Sequence, residues 1–85
     1  MKELKYVITD PEGIHARPAG LLINKVKEFA SDIKIGKGDK MVDAKRIFGV
    51  MGLGVKTGEE ITMTAEGADE DAAIEAIEAF LKAEL

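Results

Sequence analysis

Glu60-Ile61-Thr62-Met63-Thr64-Ala65-Glu66, followed directly by Gly67-Ala68-Asp69-Glu70, is where the chain changes period. Apolar and polar residues alternate through the first seven positions, the pattern of a strand with one buried face. Beyond Asp69 the repeat lengthens, and Ala73, Ile74, Ile77, Phe80 and Leu81 fall on one side of a helix. Asp69 is a favourable N-cap residue, and the acidic residues after it suit the positive end of the helix dipole. A half-buried strand that hands over to an amphipathic helix calls for two layers, a sheet with helices against it.

The rest of the chain can be sorted by the same two periods. Over residues 3–9, Leu4, Tyr6 and Ile8 alternate with Lys5, Val7 and Thr9, which predicts a strand ended by Asp10-Pro11-Glu12-Gly13. Ala19, Leu22, Ile23, Val26, Phe29 and Ala30 then predict a helix of about fourteen residues, with Asn24, Lys25, Lys27 and Glu28 opposite. After the break at Ser31-Asp32, Ile33–Gly36 and Met41–Ala44 flank Lys37-Gly38-Asp39-Lys40, a β-hairpin pattern. Ile47–Met51 suits a helix of one or two turns before the Gly52-Leu53-Gly54 loop, and Lys56-Thr57-Gly58-Glu59 is a turn. The predicted order is βαββαβα: one α+β domain over residues 1–85, an antiparallel sheet with helices on one face and a wet face opposite.

Composition narrows the function classes. A single domain of 85 residues buries roughly two-thirds of its unfolded surface and has room for one core, so chemistry belongs on the surface or at an element end. With no cysteine and one histidine, disulfides, thiolate chemistry and multi-histidine metal sites are excluded, and no metal or cofactor is predicted. The lack of cysteine fits a cytoplasmic protein. The interleaved charges of the first eight residues lack the continuous apolar core of a secretory signal, and no run reaches membrane-span length. The net charge of −4 argues against general nucleic-acid binding, which leaves proteins or small molecules as partners.

The only histidine stands in Gly13-Ile14-His15-Ala16-Arg17-Pro18-Ala19-Gly20, where the first helix begins. If His15 caps that helix, the amides of Ala16 and Arg17 have no partner inside it, and Pro18 has no N–H to leave unsatisfied. Two free donors, the positive end of the dipole and the Arg17 guanidinium then surround an imidazole, a combination suited to an anion or phosphoryl group. A positive helix end disfavours a second positive charge on the ring, keeping a lone pair available for nucleophilic attack. The plainer alternative is a surface histidine that happens to precede a helix.

Gly13-Ile14-His15-Ala16-Arg17-Pro18-Ala19 resembles the active-site signature of HPr, the histidine-containing phosphocarrier family of the bacterial phosphoenolpyruvate-dependent sugar phosphotransferase system. Val42-Asp43-Ala44-Lys45 with Ile47–Gly54 is similar to the family's second signature, and Gly67-Ala68-Asp69-Glu70 to its third. The resemblance implies an open-faced β-sandwich, a four-stranded antiparallel sheet with three helices on one face. It also implies that His15 takes a phosphoryl group on Nδ1 from phosphorylated enzyme I and gives it to an enzyme II A domain. Arg17 and the Ala16 amide would hold the phosphoryl group. Such a protein is a stoichiometric carrier with no resident cofactor, and nothing in the sequence demands more than a monomer.

The resemblance places partner docking on Ile47, Phe48 and Met51, bordered by Gly20 and Leu21, with Asn24 and Lys27 further along the first helix. The alternative for Ile47, Phe48 and Met51 is that they fill the core, and for Asn24 and Lys27 an ordinary solvated face is the simpler account. Phe48 is the aromatic residue expected outside, because Tyr6, Phe29 and Phe80 each lie on an apolar stripe. One position departs from the family: Arg46 stands where many members carry a serine phosphorylated by an ATP-dependent kinase, so that regulation is expected to be absent. Neutral loss accounts for Arg46 more simply than an acquired role such as steering toward an acidic partner. A regulatory or adaptor paralogue that acts by docking alone is the competing function, although it would need neither His15 nor Arg17.

Overall fold

The computed structural model describes residues 1–85. Seven elements follow in order: β1 Lys2–Val7, α1 Ala16–Val26, β2 Asp32–Lys37, β3 Lys40–Asp43, α2 Ile47–Gly52, β4 Glu60–Glu66 and α3 Glu70–Glu84. The strands form one antiparallel sheet in the order β1-β4-β2-β3, so the cleanly alternating strand lies inside it. Its register explains the two-layer reading. Leu4, Met63, Ile35 and Val42 stand in one row across all four strands, facing the helices. The adjacent row is Glu3, Thr64, Lys34 and Asp43, which faces water.

The helices close the apolar face. Leu22 and Val26 of α1, Val50 of α2 and Ala73, Ile77 and Leu81 of α3 are fully buried with Ile33, Ile35, Ile61 and Met63. At roughly 1.5–3 kcal/mol for each large apolar side chain withdrawn from water, this shared core is what holds the layers together.

Helix α1 is eleven residues long, shorter than its apolar period predicts. Its last turn tightens through i to i−3 bonds from Glu28 N to Lys25 O and from Phe29 N to Val26 O, both 3.2 Å. Two distant side chains then take over the backbone. Lys45 Nζ donates to the carbonyls of Phe29 at 3.0 Å and Ser31 at 3.2 Å. The Asp69 carboxylate accepts from Ala30 N at 2.8 Å, from Ser31 N at 2.9 Å and from the Ser31 hydroxyl. Asp69 does occupy the N-cap position of α3, but its side chain does not cap that helix. It ties α3 to the turn after α1, and the Ser31 bond, followed by the backbone bonds, holds its carboxyl below the ordinary value of 3.8. Strand β1 also stops earlier than its alternation predicts, at Val7, and Thr9 instead donates from N at 2.6 Å and Oγ1 at 2.8 Å to Leu85 O.

Candidate functional site

The loop between β1 and α1 is held at both ends. Asp10 N donates to Leu85 O at 2.9 Å, Gly13 N to Asp10 O at 2.9 Å, and Ile14 N to Val55 O at 3.0 Å. Gly13 has φ +67°, and a Cβ there would stand 2.8 Å from Lys56 Cα, so the turn needs glycine on both counts. These contacts deliver His15 to the N-cap of α1 with extended backbone, φ −105° and ψ −178°.

The imidazole is not spent on the helix, since His15 makes no side-chain capping bond. The first helical bond runs from Ala19 N to the His15 carbonyl at 3.0 Å, and the Ala16 and Arg17 amides before it have no partner in the chain. Both residues are exposed, whereas Pro18 and Ala19 are buried beneath them. His15 is about a third exposed and opens on a cleft of about 110 Å³ lined by Asp10, His15, Arg17, Pro18, Leu21 and Glu84. That volume is well below the roughly 300–1,000 Å³ of an organic-ligand pocket and suits a group the size of a phosphoryl.

Sequence reasoning missed the acidic side of the cleft. His15 Nε2 lies 3.5 Å from Asp10 Oδ2 and 3.4 Å from Glu12 Oε2. Asp10 is fixed there because its Oδ1 accepts from Glu12 N at 2.8 Å. The i, i+2, i+5 spacing of Asp10, Glu12 and His15 around a Pro/Gly turn was the available signal. Glu84 carried none, since it reaches the cleft from the other end of the chain.

The expected docking residues separate by burial. Phe48 is 89% exposed, and Ile47, Met51 and Leu21 are exposed to lesser degrees, while Val50 fills the core from the same short helix. Gly20 is half-buried, and Asn24 and Lys27 are exposed on α1. Arg46 occupies the N-cap of α2 without a side-chain cap, its exposed guanidinium 3.8 Å from Asp43 Oδ2.

A family model described as the PTS HPr component phosphorylation site matches residues 2–83. The chain belongs to the HPr family of phosphocarrier proteins. It is 46% identical over 81 residues to the phosphocarrier protein HPr of Lysinibacillus sphaericus, covering 95% of this chain and 92% of that one. A crystal structure of HPr from Thermoanaerobacter tengcongensis superposes with a TM-score of 0.93 at 41% identity, covering 98% of this chain and 93% of the other. A second structure from that organism is an HPr dimer, with TM-score 0.79, 40% identity and coverage of 99% and 97%. Crh, the catabolite repression protein of Bacillus subtilis, crystallised as a swapped dimer, matches with TM-score 0.78 at 39% identity, covering 100% and 98%. The four-stranded open-faced α+β fold is thus the HPr fold, and dimers occur within it, so the expected monomer does not follow from the family. No helix of the structure is long and apolar enough to cross a membrane.

Proposed function

We propose that this HPr-family chain carries a phosphoryl group on His15, taking it from phosphorylated enzyme I and passing it to enzyme II A domains. The observation that carries this reading is the unspent imidazole at the head of α1, beside two amides that no group in the chain satisfies. The Nδ1 lone pair attacks phosphorus; the N–P bond forms as the bond to the donor breaks. The proton stays on Nε2, where Asp10 and Glu12 face the positive charge the ring acquires. The amides of Ala16 and Arg17, with the Arg17 guanidinium, receive the phosphoryl oxygens.

Carrying differs from catalysis because the product must leave again. Asp10, Glu12 and Glu84 set negative charge around a group that is itself about −2, which offsets the attraction of Arg17 and the helix end. The phosphoryl group is therefore held without being trapped. Ile47, Phe48 and Met51, bordered by Gly20 and Leu21, form the apolar surface against which donor and acceptor dock in turn, with Asn24 and Lys27 at its edge.

Incubation with phosphoenolpyruvate and enzyme I, followed by mass spectrometry, tests this. One added phosphate that is lost in mild acid and absent from His15→Ala is expected. An adaptor that acts by docking alone would keep its partner function in His15→Ala. With ATP and the HPr kinase no acid-stable phosphate should form, because Arg46 offers no hydroxyl and Ser31 is buried against Asp69.

A further inference from the structure

We propose that Asp10, Glu12 and His15 form a divalent-cation site of the zinc class on the Nε2 side of the imidazole. One donor atom from each residue lies within 4.8 Å of the other two. The two distances to Nε2, 3.4 and 3.5 Å, are too long for charge-assisted hydrogen bonds of about 2.7–2.9 Å. They lie close to the edge of a tetrahedron whose centre is about 2.0–2.1 Å from each ligand, roughly 3.3–3.4 Å. The third edge, between the two carboxylates, is within 4.8 Å, so a zinc bound by nitrogen and carboxylate oxygen would need only a small side-chain adjustment to close the shell. Asp10 is organised for one-oxygen ligation, because Oδ1 is engaged by the Glu12 amide and Oδ2 is the oxygen turned to the ring. The set of one imidazole and two carboxylates favours a borderline transition cation over magnesium or calcium, and it leaves a fourth position for water.

Such a cation would oppose the carrier function through the tautomer. A neutral imidazole has one proton and one lone pair, so a ring that gives its Nε2 lone pair to a metal must carry its proton on Nδ1. Nδ1 then has nothing with which to attack phosphorus. The same two carboxylates thus serve two exclusive states, facing Nε2–H in the transfer-competent ring and completing the coordination shell in the metal-bound one. Only this consequence rests on the carrier reading; the site itself stands on the geometry.

The test is a titration of the whole chain with zinc chloride, read by calorimetry and by long-range ¹H–¹⁵N correlation of the His15 ring. Binding should shift Nε2 and place the ring proton on Nδ1. Asp10→Asn and Glu12→Gln should each weaken binding by at least the roughly tenfold that even an outer-shell change costs. Zinc should slow phosphoryl acceptance from enzyme I that was phosphorylated beforehand. Equal zinc affinity in the Asp10→Asn/Glu12→Gln double variant, or metal on Nδ1, would overturn the site. Unimpeded transfer to zinc-saturated protein would overturn the tautomer argument. Failure of transfer without zinc would count against the carrier reading alone, because calorimetry and the ring spectrum need no phosphoryl donor.

Discussion

Replacing Phe48 with alanine should separate docking from folding. A phenylalanine offers roughly 150–250 Å² of surface, and at 89% exposure nearly all of it is open to a partner. Covering that surface at about 25 cal/mol per Å² has a ceiling of about 3–6 kcal/mol. Binding also orders side chains and desolvates neighbours, so the expected loss is about 1.4–2.8 kcal/mol, or roughly ten- to a hundredfold in affinity. In a transfer assay with enzyme I, the KM for this protein should rise by that factor while kcat holds, the signature of lost uniform binding. Stability should move by less than about 0.5 kcal/mol, as for other surface changes. The control is Val50→Ala, two residues on and fully buried, which should cost about 2 kcal/mol from the lost methyl groups and the cavity they leave. A Phe48→Ala protein as destabilised as Val50→Ala, or one with an unchanged KM, would refute the reasoning.

Three further outcomes follow from single contacts. Gly13→Ala forces a side chain into a left-handed backbone against Val55 and Lys56, and should cost more than about 1 kcal/mol in urea unfolding; equal stability would remove the steric reading of the turn. Ser31→Ala removes the contact that contributes most to lowering the Asp69 carboxyl below 3.8. A carboxyl lowered in the folded state stabilises it above its unfolded value and loses that contribution as pH falls through the folded one. The deficit of Ser31→Ala relative to the parent chain should therefore be full at neutral pH and shrink in acid, and a deficit independent of pH would contradict this. Arg46→Ser places a preferred N-cap on α2 and gives up only an exposed pair at 3.8 Å, so thermal unfolding should show a gain of about 0.5–1 kcal/mol. The same variant should become a substrate for the HPr kinase, and a lower stability without phosphorylation would count against both expectations.

Periodicity proved a good guide to elements and a poor one to their ends. The alternation at Glu60–Glu66 and the helical repeat after Asp69 describe β4 and α3 as they stand, because both patterns record which local face is buried. Phe48 was legible by elimination, as an aromatic residue off every apolar stripe. Helix α1 reads about a turn too long, since Phe29 continues the apolar stripe although the backbone there is already taken by Lys45 and Asp69. Both lie on other elements, and no local pattern announces a side chain that arrives from 14 to 39 residues away.

The site divides along the same line. A histidine, an arginine and a proline at a helix start are a local arrangement, so the sequence by itself determined the imidazole at the head of α1, the free amides beside it and the arginine at the head of α2. Only the tertiary structure decided the surroundings of that ring. Leu85 anchors Asp10, Val55 receives Ile14, and Glu84 closes the cleft from the far end of α3. Charge acts through space, and the acidic field in which His15 would hold a phosphoryl group or a cation exists only once these segments meet.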